Sequence, residues 1–108
     1  MSYAVEYFNQ RVMDEIESWP VGILADYARV IKLLFEFGPA LRMPHSRAMG
    51  SGLFELRPCG PEGVARVFYC YASGQRIVML HAFIKKTRTT PTRDLDTARR
   101  RMKRVCDG

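Results

Sequence analysis

The chain has 108 residues, 47% of them hydrophobic and 26% charged, which excludes a disordered tail and fits one packed domain over residues 1–108. Lys and Arg total 17 against 11 Asp and Glu, and the excess of +6 is concentrated: residues 1–84 carry eight basic and eight acidic side chains, residues 85–108 nine and three. The longest run free of Asp, Glu, Lys and Arg, residues 67–75, has nine residues against the ~20 of a spanning helix, and no basic-then-apolar leader opens the chain, so a cytoplasmic protein off the membrane is expected.

Residues 3–8 are a short β-prone run and read as a strand. From Asn9 the period turns helical, with Val12, Ile16 and Trp19 on one face of a helix that ends near Pro20. A second helix follows, with Leu24, Tyr27, Ile31 and Leu34 on its inner face and Gly38-Pro39 as its stop. Residues 38–52 are rich in Gly, Pro and Ser, show no period, and read as a long connection. Residues 53–57, 64–71 and 76–84 read as a three-stranded meander, separated by the turn-forming cluster at 58–63 and by Ser73-Gly74-Gln75. Regular alternation along the third strand puts Val78, Leu80, Ala82 and Ile84 on one face and Ile77, Met79, His81, Phe83 and Lys85 on the other. Thr90 as N-cap and Pro91 as first helical residue open a last helix with the apolar stripe Leu95, Ala98, Met102 and Val105. The predicted order βααβββα is an α+β domain: an antiparallel sheet with helices packed on one side, two N-terminal helices and a basic C-terminal helix.

Cys59, Cys70 and Cys106 are widely spaced, no C-x-x-C occurs, and His45 and His81 complete no zinc spacing, so the expectation is reduced thiols and neither metal nor other cofactor. Phosphate-binding loops, dinucleotide fingerprints, H-E-x-x-H and G-x-S-x-G are absent. What remains is a basic and aromatic set on or beside the sheet: Arg57, Arg66, Tyr69, Tyr71, His81, Phe83, Lys85, Lys86 and Arg88. Arg66 stands in mid-strand between Val64 and Phe68, so it must reach solvent or find a partner. Arg57 ends the preceding strand and points toward the same space; two guanidiniums repel unless an anion such as phosphate lies between them. His81 on an apolar strand is either a hydrogen-bonded core residue or, beside a phosphate, an acid–base group. The run Lys85-Lys86-Thr87-Arg88-Thr89-Thr90-Pro91 places three cations and three hydroxyls ahead of a helix N-terminus, where anions are favoured. Arginine dominates the basic end, including Arg99, Arg100, Arg101 and Arg104, which points to phosphate contacts and a polyanion partner, nucleic acid or an acidic protein.

Several segments resemble, in order and spacing, the HigB branch of the RelE/ParE toxin superfamily. They are Gly52-Leu53-Phe54-Glu55-Leu56-Arg57, Arg66-Val67-Phe68-Tyr69, Ile77-Val78-Met79-Leu80-His81-Ala82-Phe83-Ile84-Lys85-Lys86-Thr87, Thr90-Pro91 and Ala98, with Phe37-Gly38-Pro39-Ala40-Leu41-Arg42-Met43-Pro44-His45 upstream. The resemblance implies a RelE-like fold and the toxin of a type II toxin–antitoxin system. It further implies a metal-independent mRNA endoribonuclease (an mRNA interferase), often ribosome-associated, neutralised by a HigA-like helix-turn-helix antitoxin. Residue by residue, Arg57 and Arg66 match the basic strand positions that hold the scissile phosphate, Lys85 the first member of a lysine pair, and His81 a common histidine. Arg88 stands where relatives carry Gln or Lys. Metal-free RNA cleavage needs a base for the 2′-OH, an acid for the leaving oxygen and cations for the phosphorane. Lys85, His81 and Tyr69 are the proton carriers to choose among, and the base stays open. Phe83 or Tyr71 would stack a splayed base, and Tyr69, Lys86, Arg88, Arg99 and Arg100 would complete the RNA surface. Two other readings stand beside this one: a non-catalytic ParE-like toxin acting on DNA gyrase, and an inactive nucleic-acid-binding relative. The set Arg57, Arg66 and Lys85 weighs against the gyrase reading, which needs no phosphate pocket.

Overall fold

A computed structural model describes residues 3–107. Strand β1 (Ala4–Tyr7) leads into α1 (Gln10–Glu17), opened by Asn9, whose side-chain oxygen accepts from the Val12 N–H at 3.1 Å. Helix α2 (Val21–Phe37) follows, ending in a single 3₁₀ turn at Gly38–Ala40. Then come β2 (Ser46–Gly50), β3 (Leu53–Leu56), the two-residue β4 (Cys59–Gly60), β5 (Gly63–Ala72), β6 (Arg76–Lys85) and α3 (Thr92–Asp107).

The strands form one sheet in the order β1-β6-β5-β3-β2, with β4 paired to β5. The meander β3-β5-β6 is antiparallel, but β1 lies parallel to β6, Ala4 opposite Arg76 and Tyr7 opposite Met79. The sheet is therefore mixed and not antiparallel throughout. Local turn signals govern hairpins; the long-range pairing of β1 leaves no such signal.

Helices also cover both faces and not one. Val12 and Ile16 of α1, with Ile23, Tyr27, Val30 and Leu34 of α2, pack on Leu56, Val67, Tyr69, Ile77 and Met79. Ala98, Leu95, Met102 and Val105 of α3 pack on Leu53, Phe68, Cys70, Val78 and Leu80 from the opposite side. A sheet buried on both faces explains why β5 reads as a nearly continuous apolar run. The inner stripe of α2 is Ile23, Tyr27, Val30 and Leu34, with Leu24 and Ile31 only partly buried. The helix carries apolar residues at both sets of positions, and the sheet selects one.

Three local departures have clear causes. The connection at 38–52 contains β2, an edge strand pairing Ser46 with Leu56 and Arg47 with Glu55, and only Ser46 of its residues is buried. One-sided burial and an irregularity between Ala48 and Gly50 erase the alternation that would mark a strand. The turn cluster at 58–63 folds on itself as β4, and Gly60 is required there because an added Cβ would lie 2.7 Å from the backbone of Gly22 in α2. Thr90 does not cap α3: the Pro91 carbonyl accepts from the Asp94 and Leu95 N–H groups, and the Thr90 hydroxyl turns toward Glu55.

The departure with the widest effect lies in β6. Phe68 pairs with His81 and Tyr69 with Met79, so Leu80 is an extra residue, a β-bulge. Leu80 and His81 both face α3, and the alternation reverses beyond them. Val78, Leu80 and Phe83 lie on the α3 side, while Ala82 and Ile84 join Ile77 and Met79 on the α1/α2 side. Leu80 is fully buried. Leu80→Asp is expected to cost at least ~4 kcal/mol, by burying an unpaired carboxylate, and to abolish cooperative unfolding in a urea titration followed by circular dichroism.

Candidate functional site

Alternation along β3 turns Leu53 and Glu55 toward α3 and Leu56 away. Glu55 is 1% exposed, and the side chains around it come from β2, β5 and β6, from the residue just past β3 and from the loop before α3. Arg57 Nη1 donates to Glu55 Oε1 at 2.7 Å, Arg66 Nε lies 3.7 Å from the same oxygen, and the Thr90 hydroxyl reaches Oε2 at 3.4 Å. Arg47 is the cross-strand partner of Glu55 on β2. Lys85 is paired with Val64, two residues from Arg66 on the same face, because the bulge has reversed the second half of β6.

Electrostatics follow from this packing. Arg66 is buried, its Nη1 donates to the Ala65 carbonyl at 2.8 Å, and its Nε makes no hydrogen bond. Burial lowers the Arg66 pKa first and the Arg57 charge lowers it further, against the pull of Glu55. Desolvation lowers the Lys85 pKa too; Arg66, Arg57 and Arg47 add to the fall and Glu55 opposes it. Four cations thus act on one another around a single carboxylate. Arg57 and Lys85 are partly open to solvent, so the uncompensated charge is accessible to an anion.

The structure brings Arg57, Arg66 and Lys85 together. It also adds two residues that sequence reasoning missed, Glu55 and Arg47. The Glu-x-Arg spacing at 55 and 57 is the signal for the first, since residues two apart share a strand face. Arg47 sits in the strand read as a connection and left no such signal.

The other predicted residues lie elsewhere. His81 faces α3 with Nε2 2.6 Å from Asp94 Oδ1, and the half-buried ring of Phe83 stands between it and Lys85, its centroid 5.8 Å from the imidazole. Lys86 and Arg88 are exposed on the β6–α3 loop, and Arg100 is exposed on α3. Arg99 Nη2 donates to the Met49 carbonyl at 2.9 Å, bracing the β2–β3 hairpin. Tyr69 and Tyr71 belong to the opposite face, on the α1/α2 side. Tyr69 is 1% exposed, its hydroxyl 2.5 Å from Ser46 Oγ, and burial pushes its pKa up. Neither tyrosine shares a face with the cations, because residues 69 and 71 have the opposite parity to Arg66 on β5. Tyr69→Phe is therefore expected to lower stability by about 1 kcal/mol, the worth of one buried hydrogen bond, and to leave function unchanged; thermal melts beside a functional assay check both parts.

The chain matches the family described as phage derived protein Gp49-like (DUF891) over residues 14–103. The chain belongs to the Gp49-like family. The matched span contains the whole cation cluster and omits β1. Gp49-like proteins are a toxin-like family of toxin–antitoxin systems, which implies an antitoxin as partner. No curated protein matches the chain at a significant level. No helix among the described residues of this Gp49-like chain is long and apolar enough to cross a membrane.

Proposed function

We propose that the chain is the toxin of a HigB-type toxin–antitoxin pair, a RelE-like, metal-independent mRNA endoribonuclease that works in the cytoplasm on ribosome-bound message. Its neutralising partner is a HigA-like helix-turn-helix antitoxin. The observation that carries this reading is the pairing of Arg57 and Arg66 with the buried Glu55, with Lys85 and the cross-strand Arg47 beside them, an arrangement short of negative charge. A phosphodiester supplies that charge.

In the proposed reaction the RNA 2′-OH attacks its own phosphorus. The O2′–P bond forms, the P–O5′ bond breaks, the 2′-OH proton passes to a base and O5′ takes a proton. Arg57 and Arg66 neutralise the charge that builds on the phosphorane. Glu55 holds the Arg57 guanidinium and the Ala65 carbonyl that of Arg66 before substrate arrives, so little reorganisation is needed. Lys85 is assigned the proton transfers, because it stands beside Arg66 on the same face and is partly open to solvent, and desolvation with the neighbouring cations lowers its pKa. His81 sits four residues away, ~13 Å along an extended strand, and is committed to Asp94.

Induced expression in a bacterial host tests the reading. Rapid mRNA decay is the expected result. Double-strand breaks with an SOS response would replace it with a gyrase poison, and normal growth with an inactive relative.

A further inference from the structure

Pairing between β1 and β6 stops at Tyr7 and Met79, so the second half of β6 has a free edge. Helices α1 and α3 flank that edge and enclose a cleft of about 320 Å³ lined by Arg11, Glu15, His81 and Arg101. Arg101 is fixed there: Nη1 donates to the Leu80 carbonyl at 2.8 Å, and its guanidinium lies 5.0 Å from the centroid of the Phe8 ring. Arg11 is exposed and makes no ion pair among the described residues. Glu15 turns its Oε2 to the Trp19 indole N–H at 3.0 Å. Burial lowers the Arg101 pKa, and the charges of Arg100 and Arg11 lower it further. The cleft thus gathers two guanidiniums, Arg11 and Arg101, against the single carboxylate of Glu15, and is a second place where positive charge is in excess.

Between this cleft and the cation cluster, one face of β6 carries Lys85, Phe83 and His81 in line. Phe83 and His81 are tilted rings with centroids 5.8 Å apart. A charged groove interleaved with aromatic faces is what a single nucleic acid strand requires.

We infer that the α1/α3 cleft is a second phosphate site for the same RNA strand, occupied when the scissile phosphate rests on Arg57, Arg66 and Lys85. The inference rests on the proposed ribonuclease reading and adds the path of the substrate away from the cut. A substrate too short to reach from Lys85 to His81, ~13 Å along the strand, uses the first site alone. Arg11 then contributes to affinity for long RNA and not for short RNA.

Fluorescence anisotropy with the full chain tests this, using two labelled 2′-O-methyl RNAs, a 12-mer and a 3-mer, which bind without being cut. Arg11→Ser removes an exposed side chain and is not expected to disturb folding; Arg29→Ser, on α2, makes the same change of net charge elsewhere. For the 12-mer, Arg11→Ser should reduce the salt slope by about 0.7, one phosphate contact, and weaken binding about eightfold at 50 mM salt. The 3-mer should be unaffected, and Arg29→Ser should behave as wild type with both. An unchanged 12-mer slope, an equal loss on the 3-mer, or an equal effect of Arg29→Ser would overturn the second site. Cleavage of unmodified RNA by the wild-type chain, assayed in parallel both free and as ribosome-bound message, separates failure of this inference from failure of the ribonuclease reading; a chain that binds no RNA and cuts neither substrate removes both.

Discussion

Arg66→Ala is expected to slow RNA cleavage by about 10²–10³-fold, the usual cost of removing one fixed group that stabilises transition-state charge. Protein that is folded and still binds its antitoxin should remain. Arg66 is buried, yet its loss does not orphan Glu55, which keeps Arg57 at 2.7 Å and the Thr90 hydroxyl at 3.4 Å. The lost hydrogen bond to the Ala65 carbonyl is a modest term of about 1 kcal/mol. Toxicity, cleavage rate and melting temperature are to be measured together against Leu80→Asp. If Arg66→Ala unfolds as Leu80→Asp does, Arg66 supports the sheet and the assignment of the site is wrong.

The second large effect concerns the substrate. A 2′-deoxy nucleotide at the cut site is expected to stop cleavage completely, because it removes the nucleophile and leaves every protein contact in place. Products of normal RNA should carry a 5′-OH and a 2′,3′-cyclic phosphate or the 3′-phosphate derived from it. On free RNA the reaction should survive excess EDTA, since the proposed charge stabilisation comes from side chains. Recovery of 5′-phosphate ends, or normal cutting of the deoxy substrate, would sink the Arg57, Arg66 and Lys85 mechanism whatever the toxin does in cells.

Much of the fold was legible in the residues that act locally. The change of period at Asn9, Gly38-Pro39 as a stop, Ser73-Gly74-Gln75 as a hairpin and the stripe from Leu95 to Val105 each mark a boundary or a face within a few residues. What escaped depends on distant partners. The parallel docking of β1, the edge strand β2 and the choice of inner stripe on α2 are settled by which surfaces meet. The site shows the same division. Arg57, Arg66 and Lys85 were visible as costly or clustered charges, whereas Glu55 acquires meaning only once Arg57 and Arg66 are seen to share its oxygen. Tyr69 was misplaced because aromatic residues on β5 occur at both parities, and sequence does not say which face carries the cations.

The extra residue at Leu80 makes the cluster a matter of chain length as well as composition. In an unbroken strand Lys85 would share a side with Ile77 and Met79, against α2, and Arg66 would have no ammonium beside it. One residue inserted between His81 and Lys85 would send the lysine through to that other side while every side chain of the cluster stayed in the sequence. The same insertion between Lys86 and Thr90 would only lengthen an exposed loop. Among variants of this chain, tolerance to insertions and deletions should therefore fall sharply at Lys85: nearly none on its N-terminal side as far as the bulge, and ample room on the other.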